Sequence, residues 1–257
     1  MPSEHLLPHA LKTPTLERLR GKRIVLASAS PRRKDILHTF GIAPDIIPST
    51  FAEDLPMESF DDIHEYPVAT ANHKAVDLYE RLVRDDPENA PDLVIAGASP
   101  SSLVAASGTY SSTADTVVLS HASPGMSQSL STQELLEKPT SREDNLRMLL
   151  DLNGGVCEIV TGLVLLYPIL TAPGYMTRLI DERTLVYFAD NSRSLLEAYV
   201  ESGDGDDAAG GFAAQRLGGI LVRKVDGDYH NVAGFPAASF FRLLDLIVEE
   251  DPNFLSA

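Results

Sequence analysis

A strand that runs directly into a helix start, at residues 23–40, constrains the fold of this chain more than any other feature. The run Arg23-Ile-Val-Leu-Ala-Ser28 is typical of a buried strand. Ser30 and Pro31 then predict a helix, with serine as the N-cap and proline at the first helical position. Three apolar residues at helical spacing give this helix a face that can pack on a sheet: Ile36, Leu37 and Phe40.

Strands and helices alternate along the rest of the chain, which predicts an α/β fold. We expect further strands at 45–48, 92–97, 115–119, 158–167, 183–188 and 219–225, and further helices at 68–84, 145–152, 195–202 and 240–249. Thr140-Ser-Arg-Glu143 predicts a capping box before the second of these helices. Asn191 or Ser192 is expected to cap the third.

The domain organisation follows from composition along the chain. We expect an N-terminal extension at 1–20 and a single domain at 21–250. Residues 98–114 and 120–134 are rich in serine, glycine and proline and lack periodicity, which predicts two loop insertions in that domain.

Charge and cysteine content exclude several classes of protein. The net charge of −16 argues against binding to bulk nucleic acid, because basic side chains that contact phosphates supply most of that affinity. Cys157 is the only cysteine and lies in an apolar run, so we expect a buried thiol and a reducing, cytoplasmic environment. The longest apolar run, 159–170, is shorter than the roughly 20 residues of a membrane span, so no membrane partner is expected.

The turn between the first strand and the first helix is a candidate anion site. Amide groups at a helix start, together with the helix dipole, attract anions, and the Ser28 and Ser30 hydroxyls can add donors. Arg32 and Arg33 lie in the first helical turn, where the dipole disfavours cations. A bound anion would offset this cost. The alternative is a capped helix that carries two surface arginines.

Seven short segments, in order along most of the chain, resemble the motifs of the Maf family. The first is Leu26-Ala-Ser-Ala-Ser-Pro-Arg-Arg33, which resembles the opening motif Leu-Ala-Ser-x-Ser-Pro-Arg-Arg. The others are Asn72-His-Lys-Ala75, Ala114-Asp-Thr-Val-Val118, Lys138-Pro139, Leu152-Asn-Gly154 with Val160-Thr-Gly162, Asp207-Ala-Ala-Gly210 through Gln215, and Asp226-Gly-Asp-Tyr229 with Val232-Ala-Gly-Phe-Pro236.

The resemblance implies a fold and a reaction. The implied fold is a mixed, twisted sheet flanked by helices, with two lobes and a central cleft, shared with enzymes that hydrolyse inosine triphosphate. The implied reaction is attack by water on the α-phosphorus of a nucleoside triphosphate, which releases the monophosphate and pyrophosphate. A divalent cation (Mg²⁺, Mn²⁺ or Co²⁺) and a homodimer are also implied.

The resemblance assigns a role to each matching residue. Ser28, Ser30, Arg32 and Arg33 would hold phosphates, and Lys74 and Lys138 would add positive charge over the triphosphate. Asp115 would act as general base or bind the metal, with Glu53 and Asp207 as further metal ligands. Arg32, Thr116 and Gln215 match the family branch that prefers dTTP and UTP over 7-methyl-GTP.

Departures from the family pattern support a second hypothesis. Ala52 replaces the first of two acidic residues, and Ala208 replaces a lysine. The serine-rich insertion separates Gly97 from Asp115, where the family runs directly from strand to Ala-Asp-Thr. The alternative is therefore a catalytically impaired Maf-like protein that binds nucleotides or serves as a scaffold.

Overall fold

The structure, a computed structural model, describes residues 5–52, 55–56, 59–98, 117–121, 135–136, 138–251 and 253–255. Its helices are α1 (Pro14–Glu17), α2 (Pro31–Thr39), α3 (Glu65–Asp85), α4 (Arg142–Leu152), α5 (Arg193–Ser202), α6 (Tyr229–Val232) and α7 (Ala237–Glu250). Its strands are β1 (Ile24–Leu26), β2 (Asp45–Ile46), β3 (Leu93–Ala98), β4 (Val117–His121), β5 (Leu135–Leu136), β6 (Val156–Pro168), β7 (Tyr175–Phe188) and β8 (Val222–Asp226). Short 3₁₀ turns occur at Pro87–Asn89, Ala209–Gly211 and Leu217–Leu221.

The eight strands form one mixed sheet, which confirms the α/β class. Strands β2, β1 and β3 are parallel and adjacent. Strand β6 lies antiparallel to β3, β4 and β7. Strands β5 and β8 extend the sheet from β4 and β7 respectively. The parallel strands therefore end at a common carboxyl edge, which is where ligands bind in open α/β sheets.

Helices cover both faces of the sheet. Helix α3 packs on one face of β1, β3 and β6 through Ala71, Ala75 and Leu78, all fully buried. The opposite face of the same strands packs against α2 and α7. The N-terminal segment belongs to this second core, because Leu6 and Leu16 are buried in it. A separate apolar cluster joins α4 and α5 to β4 and β6.

Strands β3 and β4 occupy the same edge of β6, one after the other. Strand β7 pairs with the whole length of β6 on its other edge. On the shared edge, Ala98 at the end of β3 lies opposite Gly162, and Val117 at the start of β4 lies opposite Val160. Two residues along a strand span about 7 Å. The two ends joined by residues 99–116, which lie outside the described part, are therefore close together.

This register predicts that most of the first insertion is dispensable. Deleting residues 99–113 keeps Ala114, Asp115 and Thr116 as the link between β3 and β4, which is long enough for the gap. Shortening the link from 18 to 3 residues lowers the entropy cost of closing it, worth about 1–2 kcal/mol. We expect the melting temperature to rise by about 3–6 °C. Calorimetry of the deletion variant measures this change. A variant that fails to fold would contradict the prediction, because it would show that a link of three residues cannot join β3 to β4.

Several element boundaries differ from the sequence prediction. Strand β7 begins at Tyr175, whereas the sequence predicted a strand only from Arg183. The prediction missed the first half because none of its residues is fully buried, so it lacks the pattern of a buried strand. Residues predicted to open the last strand form the 3₁₀ turn Leu217–Leu221. Helix α4 is capped by Ser141, one residue later than the predicted cap Thr140. The Ser141 hydroxyl accepts a hydrogen bond from the Asp144 amide. Strand β4 continues to His121, into the predicted loop.

Other predictions about the scaffold are confirmed. Ser30 is the N-cap residue of α2 and Pro31 its first residue. Ser192 caps α5. Cys157 is a free, fully buried cysteine, and burial raises the pKa of its thiol far above the usual range. Among the described residues, no helix is long and apolar enough to cross a membrane.

Candidate active site

The turn between β1 and α2 lies at the carboxyl edge of the parallel strands. The Ser28 hydroxyl is buried at this turn and accepts a hydrogen bond from the Ser30 amide (3.2 Å). Within the described part of the chain, the Ser30 hydroxyl makes no capping hydrogen bond to α2. Pro31 has no amide proton to satisfy, so it fits the first position at no cost. The start of α2 therefore has no side-chain cap from Ser30 that would compete with an anion for the helix amides.

Arg33 is fully buried behind this turn. Its Nε donates to the carbonyl oxygen of Gly234 (2.9 Å), and its NH1 donates to the carbonyl of Gly97 (2.7 Å) and to Ser28 Oγ (3.2 Å). The planar guanidinium can serve these acceptors together because its donors form a rigid fork. Arg33 therefore joins the ends of β1 and β3 to the Val232–Pro236 turn. The first and the last of the seven motif segments therefore meet at this one side chain.

Arg32 has a different environment. It is half-buried, and its NH2 donates to the carbonyl oxygen of Asp207 (3.2 Å). This contact joins α2 to the loop at residues 203–218, which carries the sixth motif segment. Arg216 holds the same loop together, with contacts to the Asp207 carboxylate (2.9 Å) and the Asp204 carbonyl (2.6 Å). Of these two adjacent arginines, Arg33 is therefore fixed in the core and Arg32 is half-buried beside the loop.

A small cavity separates Arg32 from the sheet. It has a volume of ≈ 20 Å³ and is lined by Arg32, Val118 of β4, Ile159 of β6, and loop residues that include Ala208 and Phe212. Such a volume holds about one water molecule. Ala208 is buried against this wall, in the place where the family motif has lysine. The 203–218 loop therefore closes tightly over the start of α2.

The start of α3 packs directly on β6 at Gly162. A Cβ at residue 162 would overlap the backbone of Pro67 and Val68. Glycine is needed here because the helix backbone approaches the strand more closely than any side chain permits. This contact places α3, which carries Lys74, beside the carboxyl end of β3, since Ala98 lies opposite Gly162. Lys74 is only 6% exposed on the sheet-facing side of α3.

Replacing Gly162 with alanine is expected to destabilise the protein. The added methyl group meets main-chain atoms, which cannot rotate away as a side chain can. Overpacking of this kind costs about 1–3 kcal/mol. Urea unfolding of Gly162→Ala measures the cost. Gly154→Ala is a comparison in which no neighbouring atom lies within 4 Å of the new Cβ and only the left-handed backbone (φ +68°) is strained. If Gly162→Ala lowered the free energy of unfolding by less than Gly154→Ala does, the close approach of α3 to β6 would be contradicted.

The remaining candidate residues divide into two groups. Lys138 is half-buried just before α4, and Gln215 is half-buried in the 203–218 loop. Gln215 Oε1 and Nε2 have no hydrogen-bond partner among the described residues. Asp115, Thr116 and Glu53 lie outside the described residues, so their roles stay predictions.

The described carboxylates do not by themselves form a metal site. No group of three or more His, Cys, Asp or Glu side chains within the described ranges is arranged to hold a cation. Burial opposes ionisation of Asp207, but the hydrogen bond from Arg216 and the charge of Arg32 lower the pKa of its carboxyl below the usual value. Asp207 is thus an ionised carboxylate already paired with a guanidinium. A complete ligand set would need Asp115 or Glu53.

Sequence patterns did not reveal several residues that build this site. The carbonyl oxygens of Gly97 and Gly234 hold Arg33, and Arg216 holds Asp207. Backbone acceptors have no sequence signal of their own. The only available hint was the presence of glycine, which permits close approach.

The fold defines a class: α/β proteins in which the parallel strands of a mixed sheet end at a common carboxyl edge. The model of the family described as Maf-like protein matches residues 23–247, and the chain belongs to this family.

Several curated relatives of this chain are named as dTTP/UTP pyrophosphatases. The chain is 37% identical over 233 residues to the human probable bifunctional dTTP/UTP pyrophosphatase/methyltransferase protein, covering 90% of this chain and 33% of that protein. It therefore spans about a third of the human protein's length. It is 31% identical to the dTTP/UTP pyrophosphatase of Schizosaccharomyces pombe (93% of this chain, 90% of the relative) and 33% identical to that of Pyrococcus furiosus (88% and 95%).

Proposed function

We propose that this protein is a nucleoside triphosphate pyrophosphatase that acts on dTTP and UTP. The observation that carries the proposal is the β1–α2 turn at the carboxyl edge of the sheet, where the helix start has no side-chain cap, Ser28 is buried and Arg32 is half-buried. Relatives that match nearly the whole chain are named dTTP/UTP pyrophosphatases, which supports the proposal. A net charge of −16 makes a local cationic site necessary for any polyanionic substrate.

The reaction is hydrolysis of the anhydride between the α- and β-phosphates. A water oxygen forms a bond to the α-phosphorus, the bridging bond to the β-phosphate breaks, and the water proton passes to a base. We assign the base to Asp115. Arg32 and the amides at the start of α2 would neutralise charge that develops on the phosphate oxygens. Lys74 and Lys138 would add charge over the leaving pyrophosphate.

Arg33 has a supporting role in this proposal. Its guanidinium is occupied by Gly97, Gly234 and Ser28, so it would fix the shape of the phosphate-binding turn from behind. Arg32 would meet the phosphates directly. The close approach at Gly162 would hold α3 and Lys74 against the same end of the sheet.

A divalent cation would supply further charge neutralisation when bound. Carboxylates suit Mg²⁺ and Mn²⁺, and Asp115 with Glu53 or Asp207 is the proposed ligand set. Asp207 would have to exchange its contact with Arg216 for the cation. The cation's identity, the homodimer and the cytoplasmic location stay predictions. Size-exclusion chromatography tests the dimer.

Pyrophosphate release from a panel of nucleoside triphosphates tests the function. With Mg²⁺ or Mn²⁺ present, we expect release from dTTP and UTP above all others. Chelation with EDTA and the variant Asp115→Asn should each abolish it. Tight nucleotide binding without release from any substrate would support the impaired, nucleotide-binding alternative, which Ala52 and Ala208 favour. Release that survives Asp115→Asn would refute the assignment of the base.

A further inference from the structure

His64 lies at the start of α3, and both of its ring nitrogens meet carboxylates. Nε2 lies 3.0 Å from Glu158 Oε2 on β6, and Nδ1 is hydrogen-bonded to Asp62 Oδ1 in the segment that leads into the helix. The side chains of His64 and Glu158 are each only 14% exposed. A largely buried polar contact therefore joins the start of α3 to β6.

This pair of contacts favours one protonation state of the imidazole ring. A neutral imidazole has one N–H donor and one nitrogen that only accepts, so it can donate to only one of the two carboxylates. The imidazolium has two N–H donors and can donate to both. Burial opposes the charge, but the hydrogen bonds to Glu158 and Asp62 outweigh burial and raise the pKa of His64 above its ordinary value. The folded state therefore favours protonated His64.

Arg183 of β7 faces the same cluster from the neighbouring strand. Its guanidinium lies 4.0 Å from Asp62 Oδ2, and its Nε donates to Asp181 (2.6 Å). The charge of Arg183 opposes that of His64, but the two carboxylates outweigh it. Carboxyl and guanidinium groups ordinarily titrate outside the range between about pH 6 and about pH 9. His64 is therefore the member of this cluster whose charge changes in that range.

The remaining contacts between this part of the chain and the sheet are apolar. Ile63, which precedes His64, packs against Leu119 of β4 and Val160 of β6. The first turn of α3 then meets Gly162 of β6 at the close approach described above. Both contacts are independent of pH. The proton on His64 therefore decides how firmly the start of the helix is held.

We propose that His64 is a pH-sensitive switch that holds the start of α3 on β6 when protonated and releases it when deprotonated. Loss of the proton leaves a nitrogen lone pair facing a carboxylate oxygen. Folding raises the pKa of His64, so the stabilisation is complete below the unfolded value of about 6.5 and is lost as the pH rises through the higher folded value. Since α3 also carries Lys74, alkaline pH would loosen one wall of the candidate active site.

Melting temperatures of the wild type and His64→Gln at about pH 6 and about pH 9 test the switch. Glutamine is neutral at both, and the other titrating groups are the same in the two proteins, so the difference isolates residue 64. We expect the wild type to melt about 3–6 °C above the variant at the lower pH and within about 1 °C of it at the higher pH. A difference that does not change with pH would overturn the proposal.

Glu158→Gln tests the same contact from the strand. Its amide can donate to an unprotonated Nε2, so neutral His64 can then bond to both neighbours. In a double-variant cycle with His64→Gln, the coupling between residues 64 and 158 should stabilise the protein at about pH 6 and vanish at about pH 9. Equal coupling at both pH values would contradict the switch.

His230→Gln is the matched control. His230 also lies beside a carboxylate, but its Nδ1 is 3.9 Å from Asp228 Oδ1, beyond hydrogen-bond distance, and its side chain is 38% exposed. We expect the effect of this substitution on the melting temperature to change by less than about 1 °C between the two pH values. A change as large as that at residue 64 would indicate a general effect of histidine charge and overturn the assignment.

Hydrogen exchange locates the release within the fold. After correction for the pH dependence of chemical exchange, wild-type amides at residues 61–72 should exchange about tenfold faster at the higher pH, whereas those of α7 should keep their rates. Equal acceleration in α7 would show global loosening and overturn the switch. These measurements need no substrate, so they decide the role of His64 whether or not the protein releases pyrophosphate.

Discussion

Replacing Arg33 with methionine is expected to lower the free energy of unfolding by about 3–5 kcal/mol, while the same replacement at Arg32, which loses one hydrogen bond to a backbone carbonyl, lowers it by about 1 kcal/mol or less. Arg33 is fully buried and donates to two carbonyl oxygens and the Ser28 hydroxyl. Methionine leaves these acceptors buried and unpaired, at about 1–3 kcal/mol each. Since domains are stable by only about 5–15 kcal/mol, Arg33→Met should be close to unfolding.

Urea unfolding followed by circular dichroism measures both variants under one set of conditions. Arg33→Lys adds a useful comparison, because it keeps the charge and loses the planar fork. We expect it to lie between wild type and Arg33→Met. Equal stability of the two methionine variants would show that the buried guanidinium does not hold the turn.

The second large effect is on activity, and here the replacement of Arg32 is the informative one. Arg32→Met should fold normally and lose about 100- to 1000-fold in kcat/KM, the usual effect of removing one electrostatic donor from a transition state. Its side chain is half-buried at the start of α2, where a phosphate would bind. Steady-state kinetics with UTP, on protein shown to be folded, gives the value.

The interpretation of this loss depends on a control for the loop. Arg32 also donates to the Asp207 carbonyl, so its removal could act by loosening the 203–218 loop. Arg216→Met removes the other contacts to Asp207 and Asp204 and leaves Arg32 in place. A much smaller loss in Arg216→Met assigns the effect to Arg32. Equal losses would assign it to the loop.

Local sequence signals predicted the scaffold of this site well. Ser30 and Pro31 fixed the start of α2, because capping and proline geometry depend only on neighbouring residues. The buried strands β1 and β3 were predicted from their apolar runs. Strand β7 was predicted only in its second half, since its first half has a solvent-facing side with charged residues.

Long-range contacts were not predictable in the same way. Arg32 and Arg33 have the same side chain, and only tertiary structure places one half-buried beside the 203–218 loop and the other fully buried among carbonyl oxygens. The close approach at Gly162 joins β6 to Pro67 of α3, 95 positions earlier in the chain. The shared edge of β3 and β4 also appears only in the pairing with β6.

Hydrolysis of UTP in water enriched in ¹⁸O tests the central claim most directly. Attack of water on the α-phosphorus places the label in UMP and leaves the pyrophosphate unlabelled, and mass spectrometry of the products distinguishes the two. We expect one labelled oxygen in UMP. Label in pyrophosphate or in inorganic phosphate would show attack at another phosphorus, and the assignment of this protein as a nucleoside triphosphate pyrophosphatase acting at the α-phosphate would be wrong.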